Sequence, residues 1–403
     1  MIVFNVFISC SRCDVAFFRY LFAQLKARPQ ESGSTSSILL SLTAICLFLG
    51  SGLGSIAQDA DNIKLQNYYQ YWRNKYFRLS QQVKGGAFID YQDNRTTCSE
   101  AHGYGMLICV YMSRLDGNTV RKDFDALDIF RRQFSSSIDS RLMSWYVDDT
   151  LAKPKKTTCA TDGDLDMAYA LILASHEWKR PRYLAEAKKI LNGIEDSLIR
   201  SDYSLRRGDW DQNQHATRLS DIMPTHFDVF SQVSNRQLWQ RVKQVHYVIL
   251  RQISLEEGVF PDFVVKDETG WKPASPNFLE SDYDGMMYYN SCRVPWRLTA
   301  AAMENNDQEA RNLLRIFNDG IGKVANNDFM AGYRLDGRTI NEWTDGAFTA
   351  PHMCSLFVNQ RKDALATKDY QFGQQETYYQ DSIRLLSLCL VTGNTFTLEN
   401  QGQ

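Results

Sequence analysis

Residues 160–178 of this chain read ATDGDLDMAYALILASHEW, a stretch that indicates both the kind of fold and the place of a site. The residues after its polar start have helical spacing and are apolar, as in a buried helix: Leu165, Ala168, Leu171, Ile172 and Leu173. Three carboxylates, those of Asp162, Asp164 and Asp166, crowd the start of this helix. The stretch therefore predicts a buried helix that carries acidic groups at its N-terminal end.

The same helical period recurs from residue 62 to residue 390, and alternating strand patterns are scarce. No Pro- or Ser-rich linker and no shift in charge divides this span, so we expect one domain, residues 58–403. A ring of helical hairpins would satisfy this all-α pattern. We predict about eleven helices, near residues 64–79, 100–113, 121–134, 164–178, 182–200, 226–234, 236–252, 291–304, 307–319, 347–359 and 377–392.

The composition supports a large globular domain and argues against nucleic acid as a partner. Of the 403 residues, 44% are apolar and 23% are charged, close to the average for globular proteins. With 45 basic and 47 acidic residues, the net charge of -2 provides no positive field to hold phosphates. Aromatic residues reach 12%, which exceeds the needs of a core and suits a cleft that stacks flat ligands or sugars.

The first 57 residues are predicted to be a signal peptide with an unusually long N-terminal region. Residues 37–57, SILLSLTAICLFLGSGLGSIA, are apolar and uncharged and end in a small-x-small pattern at Ser55 and Ala57. A membrane anchor is the alternative, because about 20 apolar residues span a bilayer. Glycines near the end of the stretch favour cleavage. We therefore expect a secreted or periplasmic protein with no membrane attachment after cleavage.

Two cysteines stand directly before acidic motifs, Cys98 before Ser99 and Cys159 before Ala160. An exported protein permits a disulfide between them. Two free buried thiols are the alternative, and the sequence leaves this choice open.

A second acidic motif is SEAHGYGM at residues 99–106, in which Glu100 precedes an apolar helical run. A lone carboxylate in a first helical turn often only complements the helix dipole, worth ~0.3–1 kcal/mol. Glu100 is not alone, because the chain also carries the acidic helix start at Asp162.

Metal and nucleophile chemistry are not indicated. A calcium loop starting at Asp162 would need glycine and glutamate where Met167 and Leu173 stand. The sequence has no HExxH, no Cys/His cluster, no GxSxG and no phosphate-binding glycine loop. We therefore expect no metal and no cofactor. Carboxylates and many aromatics in an exported helical protein are typical of glycoside hydrolysis by paired carboxylic acids.

Three segments resemble glycoside hydrolase family 8. Residues 160–178 match the family signature at every position, residues 99–106 resemble the segment with the general acid, and residues 289–297, YNSCRVPWR, resemble a third active-site segment. The resemblance spans about residues 62–393. It implies an (α/α)6 barrel of six inner and six outer helices, and cleavage of β-1,4-linked glycans with inversion.

By position, Glu100 resembles the proton donor, and Asp162 resembles the aspartate that holds the sugar before the cleaved bond. Asp164 is interpreted as structural. The chain departs from the commonest pattern at Asn290, where many members carry the aspartate that activates water. An amide cannot take that proton, although it can still hold the water.

A subgroup that includes chitosanases and lichenases uses a glutamate on an inserted loop as its base. This chain resembles that subgroup, because residues 277–285, NFLESDYDG, lie just upstream of Asn290. Glu280 is the candidate base, with Asp282 and Asp284 as fallbacks. The alternative for Glu280 is an ordinary solvated loop carboxylate.

Candidate substrate-binding residues follow from the chemistry of sugars, whose C–H faces match aromatic faces. Arg293, with its fixed fork of donors, is a candidate to orient a carboxylate or sugar hydroxyls. Asp221 and His226, in a further family-like segment, are interpreted as structural. The candidate stacking platforms are Trp145, Trp210, Tyr289, Tyr378 and Trp296, and a place in the core is the alternative for Trp296.

Three functions remain open on the sequence. The first is an endo-acting inverting hydrolase of cellulose-type or mixed-linkage β-glucan, which we expect to be monomeric. The second is a chitosanase on the same scaffold. The third is a non-catalytic glycan-binding protein that lost its base at Asn290.

Overall fold

The computed structural model describes residues 61–153, 155–212, 215–253, 258–321, 329–358, 376–395 and 398. The predicted signal peptide, residues 1–57, lies outside the described residues. Within the described ranges, no helix is both long and apolar enough to cross a membrane.

Helices dominate the fold, as the sequence predicts. The described residues contain twelve α-helices: α1 (residues 61–76), α2 (Ser99–Tyr111), α3 (Ser113–Asp116), α4 (Asn118–Arg131), α5 (Thr161–Glu177), α6 (Pro181–Ser197), α7 (Pro224–Val233), α8 (Arg236–Ile253), α9 (Val294–Glu304), α10 (Gln308–Asp319), α11 (Gly346–Val358) and α12 (Tyr378–Val391). Each of the eleven predicted helices corresponds to one of these, and the short α3 was not predicted.

Six of these helices form a closed inner ring. In order, α2 packs against α5, α5 against α7, α7 against α9, α9 against α11, α11 against α12, and α12 back against α2. The ring helices are buried nearly all round: every residue of α2 except Glu100 is buried, and so is every residue of α5 from Thr161 to Ala174. A helix that is apolar on all sides can occupy only such an interior position.

The outer helices are amphipathic and cover the ring. Helices α4, α6, α8 and α10 pack against α2, α5, α7 and α9, each through one apolar face. Helix α1 joins them through Trp72, whose Nε1 donates to Ser382 Oγ of α12 at 2.8 Å. Six inner helices enclosed by outer ones make an (α/α)6 barrel, and five outer helices lie within the described residues.

Short antiparallel strands lie in the connections. Strands β1 (Phe77–Leu79) and β2 (Ala87–Ile89) pair, as do β3 (Thr96–Cys98) and β4 (Tyr146–Asp148). A three-stranded sheet contains β5 (Ala216–Arg218), β6 (Phe263–Asp267) and β7 (Gly270–Pro273), with β6 in the middle.

Predicted helix boundaries differ from the observed ones by up to three residues, and at one of them a strand follows where helix was predicted. The helix predicted at residues 64–79 ends at residue 76, because Phe77–Leu79 is the strand β1 and pairs with β2. A local helical pattern was overridden there by a pairing with residues eight to twelve positions further along the chain.

The cysteines Cys98 and Cys159 do not pair. Both are free thiols, and each Sγ accepts a different backbone hydrogen bond, from Ala101 at 3.4 Å and from Asp209 at 3.3 Å. Cys98 also precedes α2 directly as its N-cap residue. Each thiol therefore takes part in its own local hydrogen bond, and the disulfide alternative is wrong.

The N-terminal ends of the inner helices lie at one end of the barrel. Glu100 and Asp162 are the second residues of α2 and α5, Tyr378 is the first residue of α12, and Arg293 immediately precedes α9. The contacts described below bring these four residues together. This end of the barrel therefore gathers polar groups that lie up to 278 residues apart in the sequence.

Candidate active site

Arg293 is the centre of the site. Its side chain is 1% exposed, and its Nη1 donates to Oε2 of Glu100 at 2.5 Å and to Oδ2 of Asp162 at 3.0 Å. Its Nη2 donates to Ser220 Oγ at 2.9 Å and to Oδ1 of Asn290 at 3.1 Å. A guanidinium is a rigid planar fork, so it fixes the groups it contacts relative to one another. Arg293 thus orients two carboxylates and an amide.

Glu100 lies at the open end of α2, with its side chain 18% exposed. Burial raises the pKa of its carboxyl above the usual range, and the neighbouring Asp162 raises it further, although Arg293 and Tyr378 oppose this rise. Tyr378 donates its hydroxyl hydrogen to Oε1 of Glu100. A carboxyl that holds its proton to higher pH and still reaches solvent is suited to general acid chemistry.

Asp162 is a buried, ionised group. Its Oδ1 lies 2.9 Å from Nη2 of Arg218, and its Oδ2 accepts from Arg293. Burial alone would raise the pKa of Asp162, but the positive charges of Arg218 and Arg293 outweigh it and lower the value to about 2. Glu100 and Asp162 therefore have opposite protonation preferences, because burial dominates at Glu100 and the two arginines dominate at Asp162.

Asn290 and Glu280 are in direct contact. Asn290 donates through Nδ2 to Oε2 of Glu280 at 2.8 Å, while its Oδ1 accepts from Arg293. Asn290 is buried, whereas Glu280 is exposed on its loop. The arrangement places an exposed carboxylate at the end of a hydrogen-bonded series that begins at Glu100 and passes through Arg293 and Asn290.

The two fallback carboxylates of this loop lie elsewhere. Asp284 is 1% exposed, and its oxygens accept from the backbone N–H groups of Leu279, Glu280 and Ser281 at 2.6, 2.9 and 2.9 Å. Asp282 is exposed and accepts a hydrogen bond from Asn277 Nδ2. Neither has a described contact with Asn290 or Arg293, so of the three loop carboxylates the structure brings only Glu280 to the site.

Two of the candidate stacking residues present open aromatic surface. Trp145 is 44% exposed, and its backbone carbonyl accepts from Ser99, the residue before Glu100. Trp210 is 37% exposed, and the Arg207 guanidinium lies 5.3 Å from its ring centroid. These exposures are large for tryptophan and leave faces free for a ligand.

The other aromatic candidates are placed differently. Tyr378 is 4% exposed and contacts Glu100 through its hydroxyl, so it is a partner of the acid rather than an open stacking platform. Tyr289 is half-buried and donates to Asp345 Oδ2 at 2.9 Å. Trp296 is buried, with the Arg297 guanidinium 3.9 Å from its ring centroid, so it belongs to the core.

The three residues interpreted as structural are buried and contact other protein groups. Asp221 accepts from Nε of Arg218 at 2.9 Å, and burial raises its pKa to about 7. His226 lies 2.8 Å from Oδ1 of Asp166, and burial lowers its pKa to about 4. Asp164 is fully buried, accepts from the backbone of Met143 at 3.0 Å, and has its pKa raised well above the usual range by burial.

Two further residues belong to the site and were not identified from the sequence. Arg218, at the end of β5, pairs with both Asp162 and Asp221. Asp262, just before β6, accepts from the backbone N–H groups of Tyr288, Asn290 and Ser291 at 2.8, 3.0 and 2.8 Å. Arg218 is the first residue of the family-like segment that contains Asp221 and His226, so its positive charge could have identified it as a partner of the site carboxylates. Asp262 stands between apolar residues, and nothing in its local sequence distinguishes it from an ordinary polar residue at the end of a strand.

Comparison with known proteins agrees with this geometry. The family model described as glycosyl hydrolases family 8 matches residues 56–393. A β-glucanase of Niallia circulans is 35% identical over 360 residues, covering 85% of this chain and 87% of the relative. An endoglucanase of Bacillus sp. (strain KSM-330) is 30% identical over 362 residues, covering 84% of this chain and 78% of the relative.

Solved structures share the fold. An apo structure of a β-1,3-1,4-glucanase from Paenibacillus sp. X4 is 33% identical, with a TM-score of 0.79, covering 84% of this chain and 94% of that one. Rex8A from Paenibacillus barcinonensis, in complex with xylose, has a TM-score of 0.69 at 17% identity, covering 84% of this chain and 93% of that one, and shows likeness of fold alone.

The family model covers most of the chain, and relatives that reach 30% identity or more include a β-glucanase and an endoglucanase. Arg293 holds the carboxylates of Glu100 and Asp162 together at one end of the barrel. The protein is therefore an enzyme, an interpretation favoured over the non-catalytic hypothesis that Asn290 had raised. The chain belongs to glycosyl hydrolases family 8.

Proposed function

We propose that this glycoside hydrolase cleaves β-1,4 linkages inside β-glucan chains, of cellulose type or mixed linkage, with inversion of the anomeric centre. Relatives with 30% identity or more include a β-glucanase, an endoglucanase and a β-1,3-1,4-glucanase. Their substrates support β-glucan as the substrate class of this chain.

One observation carries the proposed mechanism: Glu100 and Glu280 are separated by two other groups. Arg293 contacts Glu100 through Nη1 and Asn290 through Nη2, and Asn290 contacts Glu280. A guanidinium and an amide therefore intervene between the two carboxyl groups. Inverting enzymes keep their two carboxyls roughly 6.5–9.5 Å apart so that water fits, whereas retaining enzymes place them at about 5–5.5 Å.

In this mechanism Glu100 is the general acid. Its carboxyl must be protonated when the glycosidic oxygen departs, and its raised pKa favours that state. Its partial exposure leaves the proton accessible to a sugar in the cleft. The adjacent Trp145 would stack a sugar beside the acid, and Trp210 would stack another further along.

Glu280 is the general base in this mechanism, and Asn290 orients its carboxylate. Both ends of the Asn290 amide are engaged, its oxygen by Arg293 and its nitrogen by Glu280. The amide nitrogen has no free lone pair for a proton, so the water must lose its proton to Glu280. The exposure of Glu280 keeps its second carboxylate oxygen available to water.

Asp162 would bind the sugar before the cleaved bond. Its low pKa keeps it ionised throughout the working range, so it accepts hydrogen bonds from sugar hydroxyls and does not compete as an acid.

The test is an NMR time course on barley β-glucan, carboxymethylcellulose and chitosan. We expect cleavage of a β-glucan, with the α-anomer appearing first and internal cuts giving oligosaccharides early. Initial release of the β-anomer would contradict inversion. Cleavage of chitosan alone would favour the chitosanase alternative and reject β-glucan as substrate.

Export is part of the proposal and is supported by residues 37–57, the apolar stretch that ends at Ala57. The exported protein would be residues 58–403, monomeric in solution. N-terminal sequencing of the exported protein tests the cleavage site, and a mature chain that still carries residues 37–57 would support the anchor instead. Size-exclusion chromatography with light scattering tests the monomer.

A further inference from the structure

The loop that bears Glu280 has an unusual anchor, the carboxylate of Asp284. Asp284 is 1% exposed, and it accepts hydrogen bonds from three consecutive backbone N–H groups, those of Leu279, Glu280 and Ser281. Ser281 Oγ donates to it as well, at 3.3 Å. The side chain of Glu280 is thus exposed, while its backbone is held in place by the buried side chain of Asp284.

The backbone of Asp284 is itself attached to the barrel. Phe263 N, at the start of β6, donates to Asp284 O at 2.9 Å, and Asp262 N donates to Met286 O at 2.8 Å. Gly285 lies so close to the carbonyl of Ala274 that an added Cβ would come within 2.0 Å of its oxygen. The base of the loop therefore has little freedom to shift.

The same strand start fixes the other side of Glu280. Asp262 accepts from the backbone N–H of Asn290 at 3.0 Å and from its Nδ2 at 3.3 Å, and Nδ2 also donates to Glu280. The residue pair at the start of β6, Asp262 and Phe263, thus supports both the loop of Glu280 and the amide that contacts its carboxylate.

We propose that Asp284 is a positioning residue for the general base, holding Glu280 at the distance from the sugar that water attack requires. This inference rests on the proposed role of Glu280. Asp284→Asn would keep the shape but replace one acceptor oxygen by an N–H donor that faces backbone donors. The backbone of Leu279, Glu280 and Ser281 would then shift relative to the fixed base of the loop, and a displacement of about 1 Å at a reacting group lowers turnover roughly 10²-fold.

The experiment compares Asp284→Asn and Asp284→Ala with Asp282→Asn, a matched control in the same loop whose carboxylate contacts Asn277. For each variant, kcat, KM and the melting temperature are measured on a β-glucan, with and without sodium azide. Azide needs no base: its terminal nitrogen bonds to the anomeric carbon as the C–O bond breaks, and the leaving oxygen takes the proton of Glu100. The products are an α-glycosyl azide and the released saccharide.

We expect both Asp284 variants to lose roughly 10²-fold in kcat with KM nearly unchanged, and azide to restore part of the cleavage as α-glycosyl azide. Asp282→Asn should behave like the wild type. The proposal is overturned if the Asp284 variants keep full kcat. It is also overturned if the loss of activity appears as a raised KM, or if azide does not restore cleavage. Either result would indicate collapse of the whole site and not displacement of the base alone.

Glu280→Ala separates failure of this inference from failure of the proposed function. If Glu280→Ala is inactive and rescued by azide while the Asp284 variants are fully active, only the positioning role is rejected. If Glu280→Ala retains full activity, the base assignment itself fails, and the positioning role fails with it.

Discussion

Asn290 donates a hydrogen bond through Nδ2 to Oε2 of Glu280 over 2.8 Å. Asn290 stands at the position where the family resemblance leads us to expect a catalytic aspartate, and Glu280 comes from a loop ten residues upstream. The contact places a carboxylate beside the position from which one is missing. Under the proposed function, the amide orients the base through this contact.

Glu280→Ala should reduce hydrolysis of β-glucan by at least roughly 10²-fold, because no other carboxylate of the loop lies at the site to accept the proton of water. Added azide should restore cleavage and yield an α-glycosyl azide, detected by mass spectrometry and NMR. Asp282→Ala is the matched control and should keep its activity. Full activity of Glu280→Ala would reject the base.

Asn290→Asp should act differently in two backgrounds. In the wild type it would set a second carboxylate against Glu280, where like charges disfavour ionisation of both, so activity should fall. In the Glu280→Ala background the new carboxylate faces Arg293 Nη2 without that competitor. The kcat of the double variant should therefore be roughly tenfold higher than that of Glu280→Ala alone. Absence of recovery in the double variant would show that position 290 cannot reach the water.

Glu100→Gln keeps the shape of the side chain and removes the proton that the leaving oxygen receives. Turnover should fall by at least roughly 10²-fold, while the affinity for a β-glucan oligosaccharide measured by calorimetry stays similar. Azide should not rescue this variant, because the leaving group still lacks its acid. Unchanged turnover would remove Glu100 from the role of acid.

Tyr378→Phe should move the alkaline limb of the pH–rate profile to higher pH. The Tyr378 hydroxyl donates to Glu100 and stabilises its ionised form, which lowers the pKa of this carboxyl. Without that donor the pKa rises, so the acid stays protonated to higher pH. The limb of kcat/KM against pH measures this directly, and a shift to lower pH would contradict the assigned hydrogen bond.

Asp162→Asn should destabilise the protein at neutral pH, and the difference from wild type should shrink in acid. The pKa of Asp162 is lowered to about 2 in the folded state, so its contribution, roughly 2 kcal/mol, is present above its unfolded pKa near 4. That contribution is lost as the pH falls from about 4 towards 2. Denaturant unfolding at several pH values measures the difference, with exposed Asp282→Asn as the control. A difference that is constant with pH would contradict the lowered pKa.

The sequence by itself determined the helices and the chemical class of the site. Helical periodicity is a local property, since residues three and four apart share a face, so eleven helices could be placed to within a few residues. The acidic start of the buried helix at Asp162 and the motif at Glu100 are equally local. Where a segment depends on a partner strand, as at Phe77–Leu79, local pattern was insufficient.

Only the tertiary structure decided how the site is assembled. Arg293 reaches Glu100 across 193 residues of sequence, and Tyr378 reaches the same carboxylate across 278. No local pattern encodes such contacts, because they follow from six inner helices closing into a ring with these residues at one end.

The choice among the loop carboxylates shows the same division. Glu280, Asp282 and Asp284 lie within five residues of one another, and their sequence context does not distinguish them. Folding turns Asp284 inward onto backbone donors, leaves Asp282 on Asn277, and directs Glu280 to Asn290. The sequence supplies three similar carboxylates, and the hydrogen-bond partners available in the folded loop separate an anchor from a candidate base, because buried backbone donors must be satisfied.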